Sequence, residues 1–318
     1  MWQSLSRFFR SLLHEATGGN RPLGTIAEIE PGEGPTWGTL SGLTAHPTDP
    51  NRLYAVTDHD SSPIRILEIQ VTSDRSPRVI RQINVVAPGF GELDTEAIVA
   101  KPEGGFWLAS EGSKNNSPPN LLLDVDATGM VTRALALPAA IAERMRKKGI
   151  EGLALGDTKA GRRLFVAFQA AIKGDPDDIA RIAEVDPATG GWTFFAYPLS
   201  KGTTGDVTGL SELVHIGKRR FAAIERDGEG GPMSFKQIMT FTLGSTVGSP
   251  PDGKPPLLTK HKALDLVQVF AASGREVEKE IEGLTVAADG QVYALNDNDN
   301  ERPTLLMRLG PANKVFGE

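Results

Sequence analysis

The chain repeats one plan five times, and this repetition limits its fold more than any other feature. The copies are SGLTAHPTDPNRLYAVTDHD (41–60), EAIVAKPEGGFWLASEG (96–112), EGLALGDTKAGRRLFVAFQ (151–169), TGLSELVHIGKRRFAAIERDG (208–228) and EGLTVAADGQVYALNDND (282–299). Each reads as a short apolar strand, a turn, and a second strand ending in polar or acidic residues. A small residue stands second in each copy: Gly42, Ala97, Gly152, Gly209 and Gly283, at intervals of 55, 55, 57 and 74. Third strands follow at 64–71, 120–126, 180–186, 235–243 and 304–310. DATG (126–129) and DPATG (186–190) supply the turn chemistry for a fourth.

Four strands in about 55 residues, repeated, predict an all-β fold: a β-propeller of four-stranded antiparallel blades. One blade cannot bury both of its faces, so a ring of blades does it jointly, and the inner strands are accordingly apolar almost without alternation. The repeat count gives five blades. The longest interval has room for a sixth, although SPPDGKPP (249–256) reads as an exposed loop. Only eight residues follow TLLMRLG (304–310), so the last blade lacks a fourth strand, and LGTIAEIE (23–30) is expected to supply it and close the ring. The 35 glycines and 22 prolines suit such a turn-rich chain.

This assigns residues 22–318 to one propeller domain and 1–21 to a separate amphipathic helical segment. Trp2, Leu5, Phe9, Leu12 and Leu13 fall at helical spacing, while Arg7 and Arg10 interrupt the apolar run that a cleavable export signal needs. No run of 18 apolar residues reads as a membrane span. A net charge of −6 gives no general attraction to nucleic acid. The absence of cysteine excludes disulfides, thiolate zinc sites and cysteine nucleophiles. The domain is expected to act as a monomer.

In a propeller the first strand of each blade lines the central channel, and the second returns to the mouth where the first began. Pairing each hairpin about its turn sets Glu282 opposite Asp297, Glu96 opposite Glu111, Glu151 opposite Gln169, Thr208 opposite Glu225 and Ser41 opposite Asp58. Asp58, Glu96, Glu111, Glu151, Gln169, Glu225, Glu282 and Asp297 are thus expected to crowd one mouth. Like charges placed opposite one another cost about 0.2–1 kcal/mol per pair. Raised pKa values, Arg226, a cationic ligand or a hard cation would offset this; calcium, with its flexible oxygen coordination, suits best, with other divalent ions open.

Other chemistry is thin. There is no G-x-S-x-G nucleophile elbow and no H-E-x-x-H pair. His59, in TDHD, is the one histidine expected beside the acidic mouth and the candidate general base. The basic run ERMRKK (143–148) has no interleaved aromatics and reads as a solvated helical connector.

Four segments, DTEAIVAKPEGGFWLASEG, GIEGLALGDTKAGRRLFVAF, GLSELVHIGKRRFAAIERDGEG and EIEGLTVAADGQVYALNDND, resemble in order the bacterial phytase-like family described by esterase-like activity of phytase. The resemblance covers roughly residues 22–310. It implies a hydrolase-like propeller, often in exported bacterial proteins, hence a periplasmic or secreted location. Related propeller phytases hold calcium through acidic side chains and bind phosphate through it. By position, Glu96, Glu151 and Glu282 match the family's strand-opening glutamates. Glu111, Glu225, Arg226, Asp227 and Asp297 match its second-strand ends, whereas Gln169 and Thr208 depart from the acidic pattern.

The expectation is a metal-dependent hydrolase of esters or phosphoesters with a small-molecule substrate. Glu151, Glu282 and His59 would be catalytic, and Arg226 and Asp227 would bind the substrate's anionic group. Asp58, Glu96, Glu111, Glu151, Glu225, Glu282 and Asp297 would ligate the metal. The alternative is a non-catalytic binding propeller whose calcium or small-ligand site at the same mouth is structural.

Overall fold

The computed structural model describes residues 24–33, 36–58, 63–91, 93–112, 118–298 and 303–317, and within them the five-bladed ring forms as expected. β1 (Thr25–Glu28) precedes the first complete blade: β2 (Leu40–Ala45), β3 (Arg52–Thr57), β4 (Arg65–Gln70) and β5 (Arg78–Asn84). The second blade is β6 (Asp94–Ala100), β7 (Phe106–Glu111), β8 (Leu121–Val125) and β9 (Val131–Ala136). The third is β10 (Ile150–Thr158), β11 (Gly161–Phe168), β12 (Ile179–Asp186) and β13 (Gly191–Pro198). The fourth is β14 (Gly209–His215), β15 (Arg220–Arg226), β16 (Lys236–Thr242) and β17 (Lys260–Asp265). The fifth has β18 (Ile281–Val286), β19 (Gln291–Asn296) and β20 (Leu305–Pro311), and β1 pairs antiparallel with β20 as its outer strand. The two ends of the domain therefore lie in one sheet, which closes the ring by main-chain hydrogen bonds.

The sixth-blade alternative is not formed among the described residues. The long fourth repeat is spent on the loop around 249–257, which bridges back to the third blade at Phe194 and Ala196. It is spent also on helix α2 (Leu266–Ser273), which follows α1 (Ala139–Ala142) and precedes α3 (Ala312–Val315) in the chain. The Asp265 side chain caps α2 by accepting from the Val267 amide at 3.1 Å, and Gly274 ends it with φ of 72°. The basic run at 143–148, expected as a helical connector, lies in turns beyond the end of α1, with Arg144 paired to Asp175 at 2.6 Å and Arg146 to Asp177 at 2.9 Å.

Five apolar clusters hold the ring, one between each pair of adjacent blades. Trp107 and Leu122 of the second blade, for example, meet Ile150, Val166 and Phe168 of the third. This is why the strands nearest the axis are buried on both faces, β2 and β18 throughout except at their last residue.

At the axis the packing tightens further. A Cβ added to Gly42 would lie 2.7 Å from the Ala97 Cα of the next blade. At Gly152 it would meet Leu213 N at 2.7 Å, and at Gly283 the Leu43 Cβ at 2.5 Å. The small residue of the repeat is thus required by space rather than by backbone conformation. Accordingly, Gly152→Ala is expected to cost about 1–3 kcal/mol by overpacking, whereas Gly228→Ala, whose new Cβ meets nothing within 4 Å, should stay within about 0.5 kcal/mol. Urea unfolding of the two variants at one pH checks this.

Candidate active site

A single irregularity, repeated in every blade, builds the mouth. The pairing of the two innermost strands slips by one residue near the start of the first strand, forming a β-bulge. The slipped residue is Glu96 in the second blade, Glu151 in the third, Ser211 in the fourth and Glu282 in the fifth. In the first blade it falls within Ser41–Gly42. The bulges displace the expected hairpin pairs. Glu111 stands opposite Asp94 rather than Glu96, and the Asp297 amide bonds the Glu280 carbonyl rather than facing Glu282. Likewise the Gln169 amide bonds the Gly149 carbonyl. The turns themselves are where the Gly104 and Gly290 signals put them, with φ of 101° and 82°.

The bulge also corrects the alignment of the fourth copy. Ser211-Glu212-Leu213, not Thr208-Gly209-Leu210, occupies the place of Glu151-Gly152-Leu153. In consequence Arg226, opposite Gly209, takes the position that Glu111 holds in its blade. Glu225 is expected in the acidic ring but faces away from it. Its buried carboxylate accepts from Thr208 Oγ1 (2.6 Å), Tyr197 Oη (3.0 Å), the Ser200 amide (2.5 Å) and Lys260 Nζ (2.5 Å), a set that spans the third and fourth blades.

What gathers the acids is contact between blades. Carboxylate oxygens of Asp94, Glu96 and Glu111 lie within 4.8 Å of one another, all three side chains half-buried. Glu111 also accepts a hydrogen bond from the Gly149 amide of the third blade. Arg226 of the fourth blade donates from Nη2 to Glu282 of the fifth and lies 3.7 Å from Glu280. Glu151 and Glu282 are 5% and 6% exposed, and Arg226 is 7% exposed. Burial pushes the Glu96 carboxyl well up, reinforced by the charges of Glu151, Asp94, Glu282 and Glu111. Burial does the same for Glu151, with Glu282 and Glu111 adding to it and Arg226 and Lys148 opposing. Glu111 rises from its ordinary 4.5 to about 7, through burial first and then Asp94 and Glu282, against the Gly149 N–H. Asp94, Glu96, Glu111, Glu151 and Glu282, from three blades, therefore share one mouth with the Arg226 guanidinium.

The remaining expected residues sit differently. Asp227 is locked beneath the rim: it takes Lys236 Nζ at 2.7 Å and the Phe235 amide at 2.8 Å, with Lys236 fully buried. Asp58 is buried and accepts from Thr39 Oγ1. Asp297 is half-buried at the end of β19. His59 and the 1–21 segment lie outside the described residues. Two further acids lie outside the pattern of the repeat. Asp94 precedes Glu96 by two, a spacing that puts both on one side of a strand and is its only signal in the chain. Glu212 was hidden by the misaligned fourth copy.

Three mutually close carboxylates form an all-oxygen donor set, which suits a hard divalent cation and not a soft one.

A family model for phytase-like proteins, described as esterase-like activity of phytase, matches residues 35–300 of the chain. No curated protein matches it significantly. Among solved structures, the xyloglucan PUL GH43B of Bacteroides ovatus aligns at 11% identity over 90% of this chain and 54% of its own, with a TM-score of 0.49. A xylan β-1,4-xylosidase from Bacillus halodurans C-125 aligns at 12% identity over 82% of this chain and 49% of its own, TM-score 0.46. A luciferin-regenerating enzyme gives 10% identity over 85% and 77% of the two chains, TM-score 0.41.

The raised carboxyls set a pH dependence. The folded protein holds their protons longer than the unfolded chain does. The stability that Glu111 contributes is therefore full below about pH 4.5 and is lost as pH rises through about 7; the raised carboxyls of Glu96 and Glu151 act in the same direction. In EDTA, the melting temperature is expected to fall across that window. A divalent cation that replaces the protons should reverse the slope, adding about 2.7 kcal/mol at one hundred times its Kd. Thermal melts across the window with EDTA or calcium check this, as does proton release on calcium addition. Glu96→Gln with Glu111→Gln should flatten both effects.

Proposed function

Because the chain belongs to the phytase-like family, we propose that it is a hydrolase of esters or phosphoesters that works with a divalent cation, calcium for preference, at the acidic mouth. The observation that supports this reading is the trio Asp94, Glu96 and Glu111, its carboxylate oxygens within 4.8 Å of one another, beside Glu151. These three residues would hold the cation, with Glu282 and Glu151 completing its surroundings. Bound there, a divalent cation would polarise a carbonyl or phosphoryl oxygen and lower the pKa of a bound water.

The chain's own groups do the rest. Glu151, buried and with its proton affinity raised, can exchange a proton with a leaving group or an attacking water. Arg226 binds Glu282 through Nη2, and its Nε has no hydrogen-bond partner. The guanidinium orients Glu282 and brings positive charge to a mouth that would otherwise repel an anionic ester. Asp227 serves indirectly: its ion pair with Lys236 anchors the chain immediately after Arg226. That Arg226 and Asp227 are already engaged internally favours the second reading, a binding propeller whose cation is structural.

Turnover of phytate, simple phosphate monoesters and aryl esters, each with calcium or EDTA, separates the two. Cation-dependent hydrolysis is expected, and Glu151→Gln should lower kcat/KM by about 100-fold or more. Turnover that ignores both EDTA and Glu151→Gln would remove this reading. Calcium-dependent stabilisation without any turnover would select the binding propeller.

A further inference from the structure

One buried acid lies outside all of this. Glu212 is 1% exposed and occupies, in the fourth blade, the place held elsewhere by Gly42, Ala97, Gly152 and Gly283. At Gly42, Gly152 and Gly283 a Cβ would run into the neighbouring inner strand. Glu212 is the one long side chain at that level, and it fills the axis that the other four leave open.

Its carboxylate meets main chain only. Oε1 accepts from the Leu213 amide at 2.9 Å and the Leu153 amide at 3.4 Å, and Oε2 from the Leu43 amide at 3.3 Å. The Leu284 N–H is directed at it as well. These donors are equivalent residues of the fourth, third, first and fifth blades, each following Glu212 or the small residue at its level; Ile98 holds the same place in the second blade. The same five residues, Leu43, Ile98, Leu153, Leu213 and Leu284, line an axial cavity of about 170 Å³. Converging amide N–H groups make an anion site without any cationic side chain, as at nests and oxyanion holes.

We propose that the inner strands of this propeller form a carboxylate-binding ring of main-chain amides, and that Glu212 is its resident ligand and a positioning residue for the mouth. One carboxylate ties four blades together at a level where side chains cannot interdigitate. Leu153 and Leu284 follow Glu151 and Glu282 by two residues, so the same hydrogen bonds fix the height at which those acids stand. This second role rests on the mouth reading given above; the amide ring does not.

Chemical rescue tests the ring. Glu212→Ala leaves the residue that Ala97 already places at this level in the second blade, so the five blades can still close. The variant should melt roughly 5 °C or more below the wild type. Sodium formate, which matches the lost carboxylate and can enter by the axial cavity, should raise the variant's melting temperature and leave the wild type's unchanged at the same concentration. Formate that raises both equally, or neither, overturns the proposal. Should Glu212→Ala fail to fold, Glu212→Gln decides, because its amide NH2 would face N–H donors. Hydrogen exchange should then quicken at least tenfold around Leu43, Leu153 and Leu284 together, three amides far apart in the chain. Quickening confined to 210–214 overturns the proposal as well. Calcium titration of the wild type keeps the two readings apart: if calcium does not bind at all, the mouth reading fails while the formate result still decides the ring.

Discussion

The five inner strands approach one another at the axis so closely that Gly42, Gly152 and Gly283 have no space for a Cβ. The rest of the molecule depends on that approach. It lets each blade bury both faces in the five apolar clusters between blades. It also turns the main-chain amides of Leu43, Leu153, Leu213 and Leu284 toward one point, where a single carboxylate can serve several blades. Such an approach sacrifices side-chain packing at the centre, and Glu212 replaces what is lost with hydrogen bonds.

Directly above that level the bulges take over. An extra residue in each inner strand breaks the regular alternation, so Glu96, Glu151 and Glu282 leave the ladder and occupy the mouth. Their neighbours then come from the next blade rather than from their own hairpin: Glu111 reaches Gly149, and Arg226 reaches Glu282. Burying and concentrating acids in this way raises the proton affinity of Glu96, Glu111 and Glu151 and makes the mouth receptive to protons or to a hard cation. The axial ring and the acidic mouth are consecutive levels of one construction, separated by a single residue in each strand.

Much of this was legible in the chain. The copies gave the blade number because each blade must repeat the same burial problem. The short C-terminal remainder implied closure by 23–30, and β1 does pair with β20. The strand-opening glutamates were recognisable because an acid before a small residue recurs in three copies. Glu225 marks the limit of what the repeat states. In the fourth copy two residue-plus-leucine pairs, Gly209-Leu210 and Glu212-Leu213, lie three residues apart, and only the former has the small residue of the repeat. Choosing it shifted Glu225 into the ring, where the structure has Arg226.

The sequence by itself determined the number of blades, the turns and the strands that carry the acids, because periodicity and turn chemistry are local properties that each copy states independently. Tertiary structure alone decided which charges meet. A bulge changes facing by one residue without changing composition, and contacts between blades join residues as far apart as Arg226 and Glu282 or Leu43 and Glu212. The position of Glu212 on the axis follows from neither its own strand nor its own blade. It follows from three other chain segments that bring small residues and the amides of Leu43, Leu153 and Leu284 to the same point.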